Sequence, residues 1–589
     1  MRIGIIGTDT IFMSTCVKSV NATTQNHMVA GQLQDTALVQ AADTLVALVL
    51  PVTASIQDLN DLKVSGADAT MVATPTAIFE QELHATARVF SGMARDAKLD
   101  LVVVDHYGIG LGSNIFASLL AGLLDWPVYT EVNILRRYCD AIKIARVLED
   151  GQEAGWIGTP AILSLSKDNN VLSNDVDARL RGSAQTTPSR SDVHWPLDPT
   201  SSIGVHREVL SEMPWEPIVR EPLIIDTNGE EEKTWWAKLI SQLDGSGTLP
   251  TLTEARPPWG KCHGPISVWG EIDRRTGKVT CESLALVAEA RRLVGPGMVA
   301  VILQGSTSIE QQVVFVDGAD RVVWVADSNA APMAIAEVIV TWMKQARSSL
   351  LLLPTTIRAR ELAGLVSAVG HYPVVDNILD FVVDKRNQDP RLACIRATPH
   401  ATEVIRCLSE PFVGLIVSGA FSLFEGCYTG PHTVHRASVP RQRAAWGRLN
   451  YHNDSQLFLP PVDYNVVMGL GDGLEPSAID NIREGVNTLG IPITISSEIG
   501  PHHQLPSFYE VGERSRFIVT SLYIALEATN LRRHLAGIRQ PKKIIAVTAN
   551  PSPRISPWAD VVLHGSWERI LSTMMENWED LRQRINSWS

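Results

Sequence analysis

Two glycine-rich stretches offer the clearest candidate chemistry in this sequence. The stretch VVMGLGDGLE at 466–475 places three glycines at alternate positions after a run of apolar residues, and LVVVDHYGIGLGSN at 101–114 repeats that rhythm. Glycine after a buried strand lets backbone amides approach a phosphate, and the N-terminus of the following helix favours an anion. The spacing is GxGxG rather than GxGxxG, so a phosphate site and a tight turn are both open explanations.

Other reactive residue types lack the neighbours that catalysis or metal binding needs. His502 and His503 have no Cys, Asp or Glu at ligand spacing, which favours a loop position over a metal site. Cys262 and His263 lie in a proline-rich segment without an identifiable third partner. The seven cysteines form no CxxC pair, which argues against a disulfide framework, a zinc site or an iron–sulfur cluster. We predict no metal site, and hydrolysis is not indicated.

Length and composition limit what the chain can be. At 589 residues it exceeds a single hydrophobic core, so about three domains are expected. Hydrophobic residues make up 45% and charged residues 20%, which indicates a soluble globular protein. A formal net charge of -13 argues against nucleic acid and anionic lipid as main partners. The sequence shows no leader and no long apolar span, so a cytoplasmic location without membrane insertion is expected.

The chain also contains a weak internal repeat. VSGADATMVATP at 64–75 matches VDGADRVVWVAD at 316–327, and each copy precedes an alanine-rich helical segment and an aliphatic strand, LDLVVVD or SSLLLLP. Each copy closes with a helix that ends in an aromatic-Pro-Val step. Continuous apolar strands that alternate with helices are typical of a parallel sheet covered on both faces. Two related α/β domains in tandem are therefore predicted.

The remaining sequence divides into a connector and a third α/β unit. Residues 186–264 are rich in Pro, Ser, Trp and acidic residues without a sustained period, which predicts a surface connector with one helix near 232–243. From 464 onward, apolar strands alternate with helices at 476–489, 528–538 and 566–585. The predicted fold class is α/β, with three doubly wound parallel-sheet units in one chain.

Two segments carry a family resemblance. VGERSRFIVTSLYIALEATNLRRHLAGI at 511–538 keeps LYIA and HLAG, and VWGEIDRRTGKVTCESLALVAEARRLVG at 268–295 opens the second repeat copy. In this order the chain resembles an electron-transfer flavoprotein whose β and α subunits are fused. The regions similar to the family are a β-like domain at 1–185, an α N-terminal-like domain with extension at 265–460, and a C-terminal FAD-binding-like domain, a DHS-like Rossmann unit, at 461–589.

The resemblance implies a set of FAD contacts, several of which carry different side chains here. The arginine of the family's first glycine loop is replaced by Asp472, and its Ser-Arg pair by Ser497 and Glu498. Carboxylates in place of cations disfavour a negatively charged reduced flavin and lower its potential. The implied contacts are Gly471, Asp472, Gly473, Ser497, Glu498, Arg514, Ser515, Thr529, Asn530, Arg533, His534, Thr548, Asn550 and Asp560.

Some of these positions have a second explanation. Arg514 and Arg533 are new cations that suit a pyrophosphate, while a solvated helix face explains Arg533 equally well. His534 either donates a hydrogen bond to a flavin carbonyl or has only a structural role in its helix. The resemblance also implies AMP in the β-like domain, held by the backbone amides of its glycine loop. The residues of that loop are Gly110, Gly112, Ser113 and Asn114.

The function implied by the resemblance is that of an electron carrier. One FAD would receive electrons from a flavoprotein dehydrogenase and pass them to a quinone oxidoreductase or another redox acceptor. No catalytic side chain is predicted, because the flavin carries the redox chemistry while the protein supplies binding and electrostatics. The alternative is a flavin-less nucleotide-binding or scaffold subunit of a redox complex.

Overall fold

A computed structural model describes most of the chain. The described residues are 1–7, 44–49, 69–72, 83–104, 113–138, 141–166, 189–190, 207–215, 219–244, 264–274, 276–305, 316–384, 391–398, 401–423, 433–440, 449–452, 464–496, 507–512, 516–528, 535–539, 541–549 and 556–586. They form three large β-sheets with helices on their faces, which confirms the predicted α/β class. No helix among them is both long and apolar enough to cross a bilayer.

The first sheet comes mainly from the N-terminal part of the chain. Its elements are β1 (Arg2–Gly7), β2 (Thr44–Val49), β3 (Ala69–Val72), α1 (Leu83–Asp96), β4 (Leu101–Val104), α2 (Ser113–Leu124), β5 (Val128–Tyr138), β6 (Ala141–Leu148), β7 (Gly151–Ile157), β8 (Ala161–Leu165) and β9 (Ser189–Arg190). Their order in the sheet is β9-β3-β2-β1-β4-β8-β5-β6-β7. Pairing is parallel from β9 to β5, and β6 and β7 add an antiparallel extension.

Part of the predicted connector is regular structure. Its elements are β10 (Arg207–Pro214), β11 (Leu223–Asp226) and α3 (Glu232–Asp244). The helix confirms the one predicted near 232–243. The two strands were not predicted, because their alternation is short and lies among Pro, Ser and acidic residues that are typical of loops.

The second sheet comes mainly from residues 266–437. Its elements are β12 (Ile266–Gly270), α4 (Cys281–Val294), β13 (Val299–Gln304), β14 (Arg321–Val325), α5 (Pro332–Ala346), β15 (Leu350–Pro354), α6 (Ile357–Gly370), β16 (Val374–Asp384), β17 (Arg391–Ala397), β18 (Ala401–Cys407), β19 (Phe412–Ile416) and β20 (Thr433–Ala437). One more strand, β21 (Leu449–His452), follows them in the chain. Their sheet order is β10-β18-β17-β16-β19-β15-β12-β13-β14-β20. The remaining strand, β21, extends the first sheet beside β7.

The two sheets share one topology. The series β3-β2-β1-β4-β8-β5-β6-β7 corresponds strand by strand to β14-β13-β12-β15-β19-β16-β17-β18, and parallel and antiparallel pairs fall at the same places. Because chain order and spatial order agree in both copies, the weak sequence repeat reflects a duplicated α/β unit.

The duplicated units pack through equivalent helices. α2 and α6, which each follow the fourth strand of their unit, cross closely where glycine removes a side chain. A Cβ added at Gly364 would lie 2.5 Å from the carbonyl oxygen of Ile115, and one at Gly122 would lie 2.3 Å from the Cβ of Ala368. Apolar side chains of both units therefore form a single buried core.

The third sheet is parallel and includes a strand from the connector. Its elements are β22 (Val466–Leu470), α7 (Pro476–Thr488), β23 (Ile493–Ser496), β24 (Glu510–Val511), β25 (Ile518–Val519), β26 (Leu522–Leu526), β27 (Ile538–Arg539), β28 (Lys543–Thr548), β29 (Val561–His564), α8 (Trp567–Glu576) and α9 (Trp578–Asn586). The sheet order is β11-β29-β28-β26-β22-β23-β24, while β25 pairs with β27. The predicted helix at 528–538 lies mostly outside the described residues, and Ile538 belongs to a strand.

The connector is thus built into the third unit. β11 pairs in parallel with β29, and Ile225 and Trp235 are buried in the third hydrophobic core. Arg220 forms an ion pair with Asp560. The sequence predicted a connector on the surface of its neighbours. The structure differs from that prediction, because β11 and α3 bury apolar side chains in the core of the third unit.

Candidate functional site

A cavity of about 1330 Å³ lies where the three sheets meet. Its floor is the carboxyl edge of the second sheet, with Gly270, Gln304, Asp327 and Thr356 following or ending β12, β13, β14 and β15. β12 has β13 on one side and β15 on the other, so the strand order reverses there. In open α/β sheets ligands bind at such a reversal, outside the carboxyl ends of the strands.

The N-terminus of α6 at this reversal is capped by a carboxylate from the first unit. The amide of Ile357 donates to Glu149 Oε1 at 3.0 Å, and the amide of Ala359 donates to Thr356 Oγ1 at 3.1 Å. Burial raises the pKa of Glu149, against the lowering effect of Arg516 and of the backbone amides. A helix N-terminus that elsewhere attracts a phosphate is therefore already capped by a carboxyl group of the chain.

Glu271, the first residue after β12, lies beside this cap. Thr356 Oγ1 donates to Glu271 Oε1 at 2.7 Å. Burial raises the pKa of Glu271 to about 8, the bond from Thr356 acts to lower it, and the charge of Glu149 raises it further. Burial therefore favours the neutral form of Glu271.

An ion-pair network closes the cavity on the side of the first unit. Arg146 lies 3.1 Å from Glu361 and 2.9 Å from Glu153, while Arg358 lies 2.9 Å and Arg274 3.2 Å from the same Glu153. Burial acts to raise the pKa of Glu153, but the three guanidinium groups together hold it well below its usual range. These arginines are therefore engaged in holding the units together and are poorly placed to compensate a new anion.

The third unit forms the opposite wall with residues that precede its strands. Arg516 donates to the Phe508 carbonyl at 3.0 Å and to Ser418 Oγ at 3.1 Å. The Tyr464 hydroxyl is hydrogen-bonded to Glu282, Ser418 and Arg516, and burial raises its pKa far above the usual range. Side chains from the second and third units thus meet in one polar cluster at the cavity wall.

Three buried atoms of the lining are left unsatisfied by the residues that the structure describes. They are Oε1 of Glu282, Nε of Arg516 and Nε1 of Trp269. Unmade hydrogen bonds of buried polar groups cost on the order of 1–3 kcal/mol each. These atoms are buried within the wall itself, so the wall carries an uncompensated polar cost.

Electrostatics distinguish which ligands fit. Among the described residues, eight acidic and five basic side chains line the cavity. This excess of carboxylates disfavours a diphosphate, whereas the aromatic groups of Phe508, Tyr509 and Trp269 favour a flat ring. The volume exceeds the few hundred Å³ of common small-ligand sites, so a tricyclic ring system has ample space.

The glycine loop of the third unit lies at the other edge of its sheet, at the carboxyl end of β22. There the amide of Gly471 donates to the Leu526 carbonyl at 2.8 Å, and the amide of Gly473 donates to the Glu527 carbonyl at 3.0 Å. A Cβ at Gly471 would lie 2.2 Å from the Glu527 oxygen. Glycine is needed here for close backbone packing, and two amides that a phosphate would use are already engaged.

Glu527 adds a negative group to the same edge. Its carboxylate accepts from the Ala549 amide at 2.6 Å and from Thr548 Oγ1 at 3.3 Å. Partial burial raises the pKa of Glu527, and the two hydrogen bonds act to lower it. The described part of this edge therefore does not fit a pyrophosphate, because its donors serve a carboxylate.

The structure brings together only some of the residues predicted from the sequence. Gly471, Asp472, Gly473 and Thr548 lie at the carboxyl edge of the third sheet. Asp560 precedes β29 and therefore lies at the opposite edge, where it accepts from the Ile544 amide at 2.7 Å and pairs with Arg220. Its carboxylate is already bonded within the protein.

Most of the remaining candidates lie outside the described residues. Arg514 and Ser515 immediately precede Arg516, which lines the cavity. Ser113 and Asn114 begin α2, and nothing further is described of their side chains. The predicted contacts beyond the described residues are Ser497, Glu498, Arg514, Ser515, Thr529, Asn530, Arg533, His534, Asn550, Gly110 and Gly112.

Sequence reasoning missed the groups that define the cavity. Glu149 acts on α6 from a hairpin turn of another unit, and no local pattern shows this contact. Glu271 and Thr356 are separated by 85 positions, and only the adjacency of β12 and β15 joins them. The Thr-Thr step after SSLLLLP was an available signal for a helix N-cap beneath a ligand site.

Two comparisons with known proteins support the family resemblance. Residues 268–444 match the model of the electron transfer flavoprotein domain. Over 330 residues the chain is 20% identical to an electron transfer flavoprotein subunit alpha of Thermoanaerobacterium thermosaccharolyticum, in an alignment that covers 54% of this chain and 98% of the relative. The matched domain contains Glu271, Glu282 and Thr356, and therefore the floor of the cavity.

Proposed function

We propose that this protein is an electron-transfer flavoprotein-like electron carrier and that the central cavity holds the ring system of its flavin. The observation that carries the proposal is the cavity itself, at the strand-order reversal of the matched domain and lined by residues of all three units. A role like that of an electron-transfer flavoprotein is supported by the matched domain and by the similarity to an electron transfer flavoprotein subunit alpha. The fused arrangement of β-like and α-like parts is consistent with the duplicated topology.

The ring system fits the cavity better than the phosphates fit the glycine loop. The cavity supplies space and aromatic walls, while the described donors at Gly471 and Gly473 are already used. FAD supplies reversible one- and two-electron chemistry when it is bound. Its pyrophosphate is proposed to depend on the cations outside the described residues, Arg514 and Arg533 among them.

The residues of the chain act on the ring by position and charge. Arg516 and Tyr464 are fixed by hydrogen bonds from two units and so hold the wall against which a ring would lie. The excess of carboxylates disfavours added negative charge on it, which predicts a low reduction potential.

The proposed partners follow from the carrier role. A flavoprotein dehydrogenase donates electrons, and a quinone oxidoreductase or another redox acceptor receives them. AMP in the β-like unit, at the loop that contains Gly110 and Gly112, remains part of the proposal. We place the protein in the cytoplasm.

One observation favours a second function, a flavin-less nucleotide-binding or scaffold subunit of a redox complex. Glu527 places its carboxylate at the carboxyl edge of the third sheet and occupies the amide of Ala549. A negative group at this place opposes the binding of a dinucleotide phosphate. The three-unit assembly would then be retained for its surfaces rather than for its flavin.

The deciding experiment is a visible absorption spectrum of the purified protein, with chromatography of the nucleotides that heat releases. About one FAD per chain, as expected for a carrier of this family, supports the first function, and AMP in addition supports the β-like site. If no flavin is found, and none binds after incubation with excess FAD, the carrier proposal is wrong and the scaffold function takes its place.

A further inference from the structure

The helices α2 and α6 begin on the same side of the molecule. A Cβ at Gly364 of α6 would approach the carbonyl oxygen of Ile115 in α2. Further along both helices, a Cβ at Gly122 would approach Ala368, so the two helices run in the same direction through their contact. Arg360 lies one helical turn before Gly364, and therefore on the side of α6 that faces α2.

This position directs the side chain of Arg360 towards the start of α2. Side chains of a helix tilt towards its N-terminus, so Arg360 extends away from the crossing and along the first turn of α2, which begins at Ser113. The charge of Glu131 in the first unit acts on Arg360. Glu131 lies beside the carboxyl end of β8, at the edge of the first sheet where α2 begins. Arg360 is not one of the residues that line the central cavity.

Arg360 has no hydrogen bond or ion pair through its guanidinium group among the residues that the structure describes. Its neighbour Arg358, by contrast, is paired with Asp150 and Glu153. Burial and the charge of Arg516 lower the pKa of Arg360, against the raising effects of nearby carboxylates. A guanidinium group stays protonated at neutral pH, so Arg360 is a partly buried cation whose donors are not used by the described protein.

The two equivalent helices differ in what their N-termini hold. The amide of Ile357 in α6 donates to Glu149, a carboxyl group of the first unit. The first turn of α2 contains no acidic residue, and the first amides of a helix have no partner within it. A cation beside a helix N-terminus is unfavourable, because both are positive. An anion between α2 and Arg360 would therefore stabilise both.

We propose that the N-terminus of α2 and the guanidinium group of Arg360 together hold the phosphate group of a nucleotide, so that a residue of the second unit completes an anion site of the first. Backbone amides at a helix N-terminus and a guanidinium fork both suit phosphate oxygens. The inference rests on the AMP that the proposed function assigns to the β-like unit, and it adds the residue that neutralises the phosphate. The bound nucleotide then bridges the two duplicated units.

The experiment is calorimetric titration of the full-length protein, freed of nucleotides, with AMP, adenosine and inorganic phosphate at pH 7. The wild type should bind AMP at least about tenfold more tightly than adenosine, because the phosphate supplies charge-assisted hydrogen bonds. Arg360→Gln should lose about tenfold or more in affinity for AMP and keep its affinity for adenosine within about threefold. Inorganic phosphate should compete with AMP in the wild type and not in this variant.

Two further variants test what Arg360 contributes. Arg360→Lys keeps the charge without the fork, so its affinity for AMP should lie between those of the wild type and Arg360→Gln. The control Arg321→Gln removes an exposed positive charge at the start of β14 and should match the wild type. In the nucleotide-free protein Arg360→Gln should be at least as stable as the wild type, because it removes a cation from the positive end of α2. Saturating AMP should reverse this order in thermal unfolding.

The outcomes separate the inference from the proposed function. AMP affinity of Arg360→Gln within about threefold of the wild type, or equal losses for AMP and adenosine, overturns the inference and leaves the AMP site standing. A nucleotide-free Arg360→Gln less stable than the wild type would show a structural role and also overturns it. If the wild type binds neither AMP nor phosphate, the inference and the AMP assignment are both wrong, while the flavin content of the protein still decides the carrier function.

Discussion

At the scale of single residues, the interior charges have unequal roles. Arg146 is buried between Glu361 and Glu153, and it joins the hairpin of the first unit to α6 of the second. Removing one partner of a buried pair leaves a charge that neither water nor protein compensates, whereas an exposed pair is worth little. The main effect of this network on stability should therefore appear when one partner is removed, because the remaining buried charge is then uncompensated.

We expect Glu361→Ala to lower the free energy of unfolding by about 3 kcal/mol, because Arg146 keeps only Glu153 as a counter-charge. Urea unfolding at pH 7 measures the change. The matched control is Glu208→Gln, since Glu208 is half exposed in its pair with Arg406 and should cost about 1 kcal/mol or less. Equal losses in both variants would contradict the assignment.

The protonated state of Glu271 also affects stability. Its ordinary pKa of 4.5 rises to about 8 in the folded protein, chiefly through burial. Between these values the folded state binds one proton more than the unfolded state, so stability falls as the pH rises, by at most about 1.4 kcal/mol per unit. Below pH 4.5 both states are protonated and the effect disappears.

We expect the wild type to lose more stability than Glu271→Gln between pH 5 and pH 8. Urea unfolding of the two proteins at intervals across this range gives the difference directly. Parallel curves would show that Glu271 is ionised in the folded state. A Glu208→Gln series serves as the control for loss of a surface carboxylate.

At the scale of elements, glycines set how closely chain segments approach. Gly364 allows α6 to cross α2, and Gly471 allows the loop after β22 to contact the end of β26. In both places the nearest atom to an added Cβ is a backbone oxygen, which cannot rotate away as a side chain can. The requirement is geometric and exists without any ligand.

Gly364→Ala should destabilise the protein by about 1–3 kcal/mol, although alanine favours helix by nearly 1 kcal/mol elsewhere. The reason is the 2.5 Å approach of the new Cβ to the Ile115 oxygen. Thermal unfolding of the variant measures the effect. Gly158→Ala is the control, because no atom lies within 4 Å of a Cβ added at Gly158. A loss no greater than in the control would disprove close helix packing.

Gly471→Ala separates packing from phosphate binding. A Cβ at this position would lie 2.2 Å from the Glu527 oxygen, so the nucleotide-free protein should lose about 1–3 kcal/mol of stability. Gly229→Ala is the control, because its Cβ meets nothing within 4 Å. A variant with unchanged stability but weaker FAD binding would instead assign the loop to the phosphates.

At the scale of the whole molecule, the connector joins the units into one structure. Trp235 is fully buried in the core of the third unit, although it lies before the second unit in the chain. The chain thus enters the third sheet through β11, leaves it for the second unit, and returns at β22. Stability of the third unit should depend on this early segment.

Trp235→Ala should cost about 3–5 kcal/mol by opening a cavity in that core. Hydrogen exchange should accelerate at 466–470 and 522–526, in the third sheet, more than at 101–104 in the first. Trp156→Ala is the matched control, because this tryptophan is 50% exposed. Uniform acceleration over all three sheets would indicate that the segment stabilises the whole molecule and not one unit.

Much of the fold follows from local pattern. The continuous apolar runs LVVV and LLLLP, the alanine-rich helices and their repeated order predicted tandem α/β units, because burial on both faces requires such sequences. The strands β10 and β11 escaped prediction since each is stabilised by an edge that another part of the chain provides. The flavin contacts implied by resemblance are still predictions, as most lie outside the described residues.

The sequence by itself determined the α/β class, the duplicated order of elements and the resemblance to electron-transfer flavoproteins, since these depend on residues near one another in the chain. Only the tertiary structure showed that Glu149, Glu271 and Arg516, from three units, face one cavity. It also showed that the amides of Gly471 and Gly473 serve backbone packing. Electrostatics and hydrogen bonding depend on distances in space, and no spacing along the chain encodes which carboxylate meets which helix.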